Sequence, residues 1–235
     1  MTNRTVRLLR SSFLTIASFE MLVLAQDAPP KVKIPEPGVP QVMTLEGRWV
    51  RAAYNNEGYA ILGYRVANNS VGQPWILLEV GITVRKGVAS EQLLRDAISL
   101  ETPDGKKVPL PSNKEFQTAN LAGLQKQADM MRDSINYFPP DATRAARLGF
   151  FADLTDRTMG FDKVELTPDR ACLGRLYFPV EGGIHYGQYW LDIKFESSLV
   201  RVPFRILTKE EAKFLDKNYK DIEKQVHDAF APKPQ

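Results

Sequence analysis

Two stretches near the C-terminus alternate apolar and polar side chains with the two-residue period of a strand. Tyr189, Leu191, Ile193 and Phe195 face one way against Trp190, Asp192, Lys194 and Glu196, and Val200, Val202, Phe204 and Ile206 repeat the pattern against Arg201, Pro203 and Arg205. The alternation predicts neighbouring strands with one face in a core and one wet. Pro203 has no N–H to donate, so its strand is expected at a sheet edge, or with that position turned away from a neighbour. Earlier in the chain, Trp75 to Val84 puts Ile76, Leu78, Val80, Ile82 and Val84 on a single face, and Tyr59 to Ala67 precedes it across the turn-rich Asn68-Asn69-Ser70-Val71-Gly72. Ile98–Glu101 and Lys106–Leu110, joined by Pro103-Asp104-Gly105, read as a hairpin. Arg147–Leu154 reads as a further strand, and Met159–Leu166 leads into a turn at Thr167-Pro168-Asp169.

The period changes in two places. Between Lys114 and Ile135, Phe116, Leu121, Leu124, Ala128, Met131 and Ile135 recur at helical intervals, and Pro139-Pro140 ends the run, which predicts a helical insertion at about 113–136. Thr208-Lys209-Glu210-Glu211 is a capping box, followed by Ala212, Leu215, Tyr219, Ile222, Val226 and Ala229 along one face, with Pro232 as the stop. The seam Leu215, Tyr219, Ile222 and Val226 is too apolar to be left wet. It is expected to pack on its own sandwich or on a partner or second copy, which makes it the candidate partner-binding surface.

The first residues carry a different signal. Arg4, Arg7 and Arg10 precede a short apolar run that ends at Val23-Leu24-Ala25, the layout of a secretory signal peptide cut after Ala25. A periplasmic or secreted protein is therefore expected, without a stable membrane span after cleavage and, with no cysteine near the cut, without a lipid anchor. Residues 26–43 form a proline-rich linker, with Pro29, Pro30, Pro35, Pro37 and Pro40 favouring an extended tether. Residues 44–207 are left for a β-sandwich domain, and 208–235 for the terminal helix and tail.

Charge and cysteine narrow the reading further. The formal charge of the whole chain is +3, and removal of residues 1–25 lowers it to about +1, so the basic balance belongs largely to targeting. A mixed, near-neutral surface carries no electrostatic footprint for nucleic acid. Cys172 is the only cysteine, so no intramolecular disulfide can form. It alternates with Leu176, Phe178 and Val180 onto one strand face, without a neighbouring base or cation to activate it, and reads as a small buried hydrophobe.

Leu166-Thr167-Pro168-Asp169, then Gly174-Arg175-Leu176-Tyr177-Phe178, then Tyr189 to Phe195 resemble the last strands of immunoglobulin-like domains in uncharacterised exported bacterial proteins. The resemblance covers residues 45–207. It implies a mainly β protein, an immunoglobulin-like antiparallel β-sandwich with a helical insertion and a C-terminal amphipathic helix. The chain departs from many such domains in lacking a lipid-anchor cysteine and in carrying the insertion, and the resemblance defines no functional residues.

Candidate chemistry is sparse. His185 and His227 are the only histidines, which excludes histidine-rich metal motifs, and no nucleophile elbow, Walker loop or dinucleotide glycine pattern occurs. No catalytic, metal or cofactor residues are assigned. Gly182-Gly183-Ile184-His185-Tyr186-Gly187 lies between strands and reads as a turn rather than a phosphate cradle. Asp153, Asp156, Asp162 and Glu165 offer carboxylates for a hydrolase but read as a solvated loop. Aromatics group at Trp49, Tyr54, Tyr59 and Tyr64, near Trp75, and at Tyr177, Tyr186, Tyr189 and Trp190. Trp49, Tyr186 and Trp190 are the candidate ligand-binding residues, as stacking platforms for a sugar or anchors for a protein. The function expected is protein binding or self-assembly at the cell envelope by a non-enzymatic sandwich. A carbohydrate-binding module and a hydrolase are the alternatives.

Overall fold

The computed structural model describes residues 41–152 and 158–230. The expected signal peptide, most of the proline-rich linker, Asp153, Asp156 and Pro232 lie outside these residues. The chain is mainly β. β1 (Val42–Gly47), β2 (Val50–Tyr54), β3 (Gly58–Gly63) and β4 (Trp75–Val84) form an antiparallel meander, with the single turn α1 (Arg65–Asn68) between the last two. β5 (Glu91–Leu94) is followed by β6 (Ile98–Glu101) and β7 (Lys107–Pro109), then by α2 (Asn113–Thr118) and α3 (Ala122–Met130). β8 (Arg144–Arg147), β9 (Lys163–Leu166), β10 (Arg170–Pro179), β11 (Gly187–Lys194), β12 (Leu199–Ile206) and α4 (Lys209–Phe230) complete the order. The strands assemble as a six-stranded sheet β1-β2-β3-β4-β10-β8, a four-stranded sheet β12-β11-β6-β7 and a small pair β5-β9.

The two large sheets share one core. The even positions of β4, from Ile76 to Val84, are buried in the same cluster as Tyr189, Leu191, Ile193, Val200, Val202 and Phe204, as the two-residue period predicts. Their approach is close at Gly58, where a Cβ would fall 2.1 Å from Phe195 Cε2. Cys172 lies in this core, buried as expected, and burial pushes its thiol up to about 11. β12 is the edge strand expected from Pro203. Tyr189, opening β11, turns its hydroxyl back onto the chain, accepting from the His185 N–H and donating to the His185 carbonyl, each at 3.0 Å.

Several expectations require correction. β1 begins at Val42, inside the stretch read as linker, because Met43 is buried and pairs with Ala53. β3 stops at Gly63 rather than Ala67, where the chain turns into α1. The strand expected at Arg147–Leu154 lies instead at Arg144–Arg147, and it runs parallel to β10, so the six-stranded sheet is not wholly antiparallel. The insertion is not one helix over 113–136. α2 starts with a Ser112–Glu115 capping box and ends at an extended Ala119, α3 ends by Met131, and the chain then runs without regular structure to Pro139. The physical reason is on the sheet beneath: Ile135 and Phe138 pack on the outer face of β2 and β3, and a helix continued through them would lift both away.

The terminal helix begins as its sequence predicts, with Glu211 N–H donating to Thr208 Oγ1 at 3.2 Å and Thr208 N–H donating to Glu211 Oε2 at 2.9 Å. α4 is interrupted at Asn218 (φ −115°, ψ 15°), whose side chain donates to the Phe214 carbonyl at 2.8 Å. It lies along β1. Leu215 and Val226 are buried, Tyr219 and Ile222 are half-buried, and Arg48 meets Asp216 at 2.9 Å. Of the packings expected for the seam, the one within the same chain is observed, along β1. No helix among the described residues is long and apolar enough to cross a membrane.

Candidate functional site

At one end of the two large sheets three segments that are distant in sequence converge. The β6–β7 turn, the β10–β11 loop and Pro74-Trp75 enclose a groove of about 1030 Å³. The β10–β11 loop is fastened to the segment before β4: Val180 N–H donates to the Pro74 carbonyl at 2.8 Å, Ile184 N–H to Gln73 at 2.9 Å, and Gly72 N–H to Ile184 at 2.8 Å. Gly183 takes φ 89°, and a Cβ there would meet the Gly72 carbonyl oxygen at 2.7 Å, so the close approach of the two loops needs glycine. Opposite, Thr102 N–H donates to the Lys106 carbonyl at 3.0 Å and Gly105 N–H to the Thr102 carbonyl at 2.9 Å, tightening the hairpin turn. Pro74, Pro103, Pro109 and Pro179 all line the groove. Fixed φ at four wall positions means that little conformational entropy is lost on filling it.

The chemistry of the groove is apolar with a charged rim. Half-buried Trp75 offers a ring. Lys106 Nζ lies 3.6 Å from Asp104 and 3.4 Å from Glu181, spanning from the turn to the opposite loop. The hydrogen bond from the Thr102 hydroxyl, more than anything else, holds the Asp104 carboxyl below its ordinary range. Lys106 is raised by its hydrogen bond to Glu181. β7 adds a backbone edge. The Leu110 N–H bonds inward to Ile98 at 3.2 Å, and Leu100 pairs with Val108, so the polar backbone groups of Lys107 and Pro109 point out of the sheet.

The sequence-selected ligand residues do not come together here. Trp49 is 8% exposed and packs edge-on against Tyr64 with ring centroids 5.5 Å apart. Trp190 is 6% exposed, with the Arg201 guanidinium 4.9 Å from its ring centroid. Neither offers a free face for stacking. Tyr186 is 52% exposed and adjoins His185, which lines the groove. Of the carboxylates considered for hydrolysis, Asp162 pairs with Arg95 at 3.0 Å and Glu165 with Arg170 at 2.6 Å. Among the described residues no group of three or more His, Cys, Asp or Glu is placed to hold a metal ion.

A second cavity of about 570 Å³ opens where β5 parts from the end of β11, bounded by Glu91, Asp96, Lys194 and Glu196. Burial pushes the Glu91 carboxyl up, against the Glu196 N–H that donates to it at 3.0 Å. It is smaller and more polar than the groove, whose Asp104, Lys106 and Glu181 were not among the candidate ligand residues and whose Trp75 was noted only as a neighbour of the first aromatic group. The only local signals for them were the turn residues Pro103-Asp104-Gly105 and Gly182-Gly183. No protein-family model, curated protein or solved structure matches this chain.

Proposed function

We propose that this is an exported protein-binding module of the cell envelope, periplasmic or secreted, whose proline-walled groove takes an extended peptide segment of its partner. The observation that carries the reading is the combination, in one groove, of rigid walls, a half-buried tryptophan and the outward backbone edge of β7. An extended chain can bond to Lys107 through its backbone while side chains settle on Trp75 and between the prolines. A sugar would use the ring but leave the strand edge unpaired. Support for export is the basic start and short apolar run of residues 4–25. Support for an immunoglobulin-like sandwich is the Tyr189 hydroxyl folded back on His185, the arrangement of a tyrosine corner.

Tryptophan fluorescence tests the reading directly, because Trp49 and Trp190 are buried and Trp75 lines the groove. Titration with an array of synthetic extended peptides is expected to shift the emission. Trp75→Ala, followed by calorimetry because the reporting ring is gone, abolishes binding of the selected peptide while the chain remains folded. Binding of oligosaccharides but of no peptide moves the assignment to the carbohydrate alternative, and peptide binding that survives Trp75→Ala and Lys107→Pro overturns the groove.

A further inference from the structure

The stretch from Met131 to Pro140 crosses the outer face of the six-stranded sheet without helix or strand of its own. Apolar contacts hold one half: Ile135 and Phe138 rest on Val50, Ala52, Tyr59 and Ile61. The Tyr59 hydroxyl donates to the Tyr137 carbonyl at 2.7 Å. A buried polar clasp holds the other half. Asp133 N–H donates to Glu79 Oε2 at 2.6 Å, and Arg65 N–H donates to Asp133 Oδ2 at 2.9 Å. Both carboxyls are out of solvent, with side-chain exposures of 5% for Glu79 and 2% for Asp133.

We propose that Met131–Pro140 is a releasable strap, clasped by the buried Glu79 and Asp133 carboxyls, which is held closed in acid and opens as the pH rises, uncovering the apolar outer face of β2 and β3. Four charged neighbours face the clasp. From β10, Arg175 lies 3.7 Å from Glu79 and 2.7 Å from Asp129 of α3. From the strap, Arg132 lies 3.8 Å from Glu79, and from α1, Arg65 lies 3.3 Å from Asp133. The buried Tyr64 adjoins Asp133 and is itself raised, chiefly by burial. Arg132 and Arg65 reach solvent, and Arg175 keeps Asp129, so none of the three is stranded when a carboxyl takes up a proton. A neutral carboxyl still offers its carbonyl oxygen to the Asp133 N–H.

Burial pushes both carboxyls above their ordinary range, overcoming the opposing hydrogen bonds and arginines. The closed strap therefore binds protons more tightly than the open, hydrated one. Closure is favoured fully below the ordinary carboxylate range, weakens as the pH rises from there to the raised values, and gains nothing from protons above them. In the window between the ordinary carboxylate range and the raised values, each linked proton shifts the closed-to-open ratio by roughly tenfold per pH unit.

Amide hydrogen exchange on the full chain from about pH 4, in the ordinary carboxylate range, to about pH 8, corrected for intrinsic rates, reads this equilibrium at Asp133 and along 131–138. The expected result is protection that falls with rising pH in the strap but not in β11, and a flattened dependence in Glu79→Gln and Asp133→Asn. Strap protection independent of pH in the wild type overturns the proposal, as does a pH dependence that is undiminished in both variants. Should a variant not fold, uptake of an apolar dye by the wild type, rising over the same pH window, is the second measurement, and its absence counts against release.

Discussion

The side-chain amide of Gln41 pairs with the backbone of Arg201 in both directions, donating to its carbonyl at 2.8 Å and accepting its N–H at 2.9 Å. Arg201 lies on β12, an edge strand, so one glutamine does locally what a neighbouring strand would do. Pro203 follows two residues on and offers no N–H, and at the start of the strand Asn55 Nδ2 reaches the Leu199 carbonyl at 3.5 Å. The edge is thereby closed to a second chain. Gln41→Ala combined with Pro203→Val is expected to lose about 1–2 kcal/mol from the broken pair of hydrogen bonds. It should also associate with rising concentration in sedimentation velocity, where the wild type does not associate through this edge. An unchanged sedimentation profile for the double variant would remove the protective role.

Arg51 is buried on the inner side of β2, donating to Tyr64 Oη at 2.6 Å and to the Gly47 and Val50 carbonyls, each at 2.9 Å. Tyr64→Phe keeps the ring but leaves a guanidinium N–H without its acceptor. The cost expected in a denaturant melt is about 1–3 kcal/mol, and a melt indistinguishable from wild type would show that water reaches the site.

The docking of α4 separates packing from charge. Leu215→Ala removes a buried side chain and is expected to cost about 2–3 kcal/mol. Asp216→Ala breaks an exposed pair with Arg48 and is expected to cost less than about 1 kcal/mol. Equal losses in thermal unfolding would mean that the helix is held electrostatically.

Acid is expected to loosen the start of the same helix. Although burial raises Glu211, hydrogen bonds from Arg205 and the Thr208 N–H bring it below its ordinary value. Its contribution is present above the ordinary carboxylate value and is lost as the pH falls through the lowered one. Amide exchange at the first turn of α4 should accelerate at low pH in the wild type and not in Glu211→Gln. That trend is opposite in sign to the one expected of the strap.

With its thiol pushed up to about 11, Cys172 is ionised in only about one molecule per thousand at pH 8. Native protein is expected to react with a water-soluble disulfide reagent only as fast as it unfolds. Labelling within seconds would place the thiol outside the core.

The strands that were legible in the sequence are those with a strict two-residue period, β4, β11 and β12, because one face of each meets the other sheet. β2 was not, since its inward positions include Arg51, a polar residue satisfied only by carbonyls and by a tyrosine from beyond β3. Ile135 matched a helical interval by spacing alone, while its burial comes from an extended chain laid on a sheet. Residue type likewise misplaced Trp190. It alternates to the outer face of its strand, as expected, yet Arg201 lies over it there. The groove was invisible for a different reason: Trp75, Asp104 and Glu181 are brought together only by the loop-to-loop hydrogen bonds at Gln73, Pro74 and Ile184.

Gly63 and Gly81 leave a bare lane on the sheet beneath the strap. A Cβ at Gly81 would fall 2.5 Å from Phe138 Cζ, and one at Gly63 would fall 2.7 Å from Asp133 Cβ. The strap is seated against main chain, so the thickness of a single methyl group is enough to prop it away. Gly81→Ala therefore acts as a wedge: it dislodges the apolar half while leaving both acids and all three arginines in place, and so separates mechanical seating from proton control.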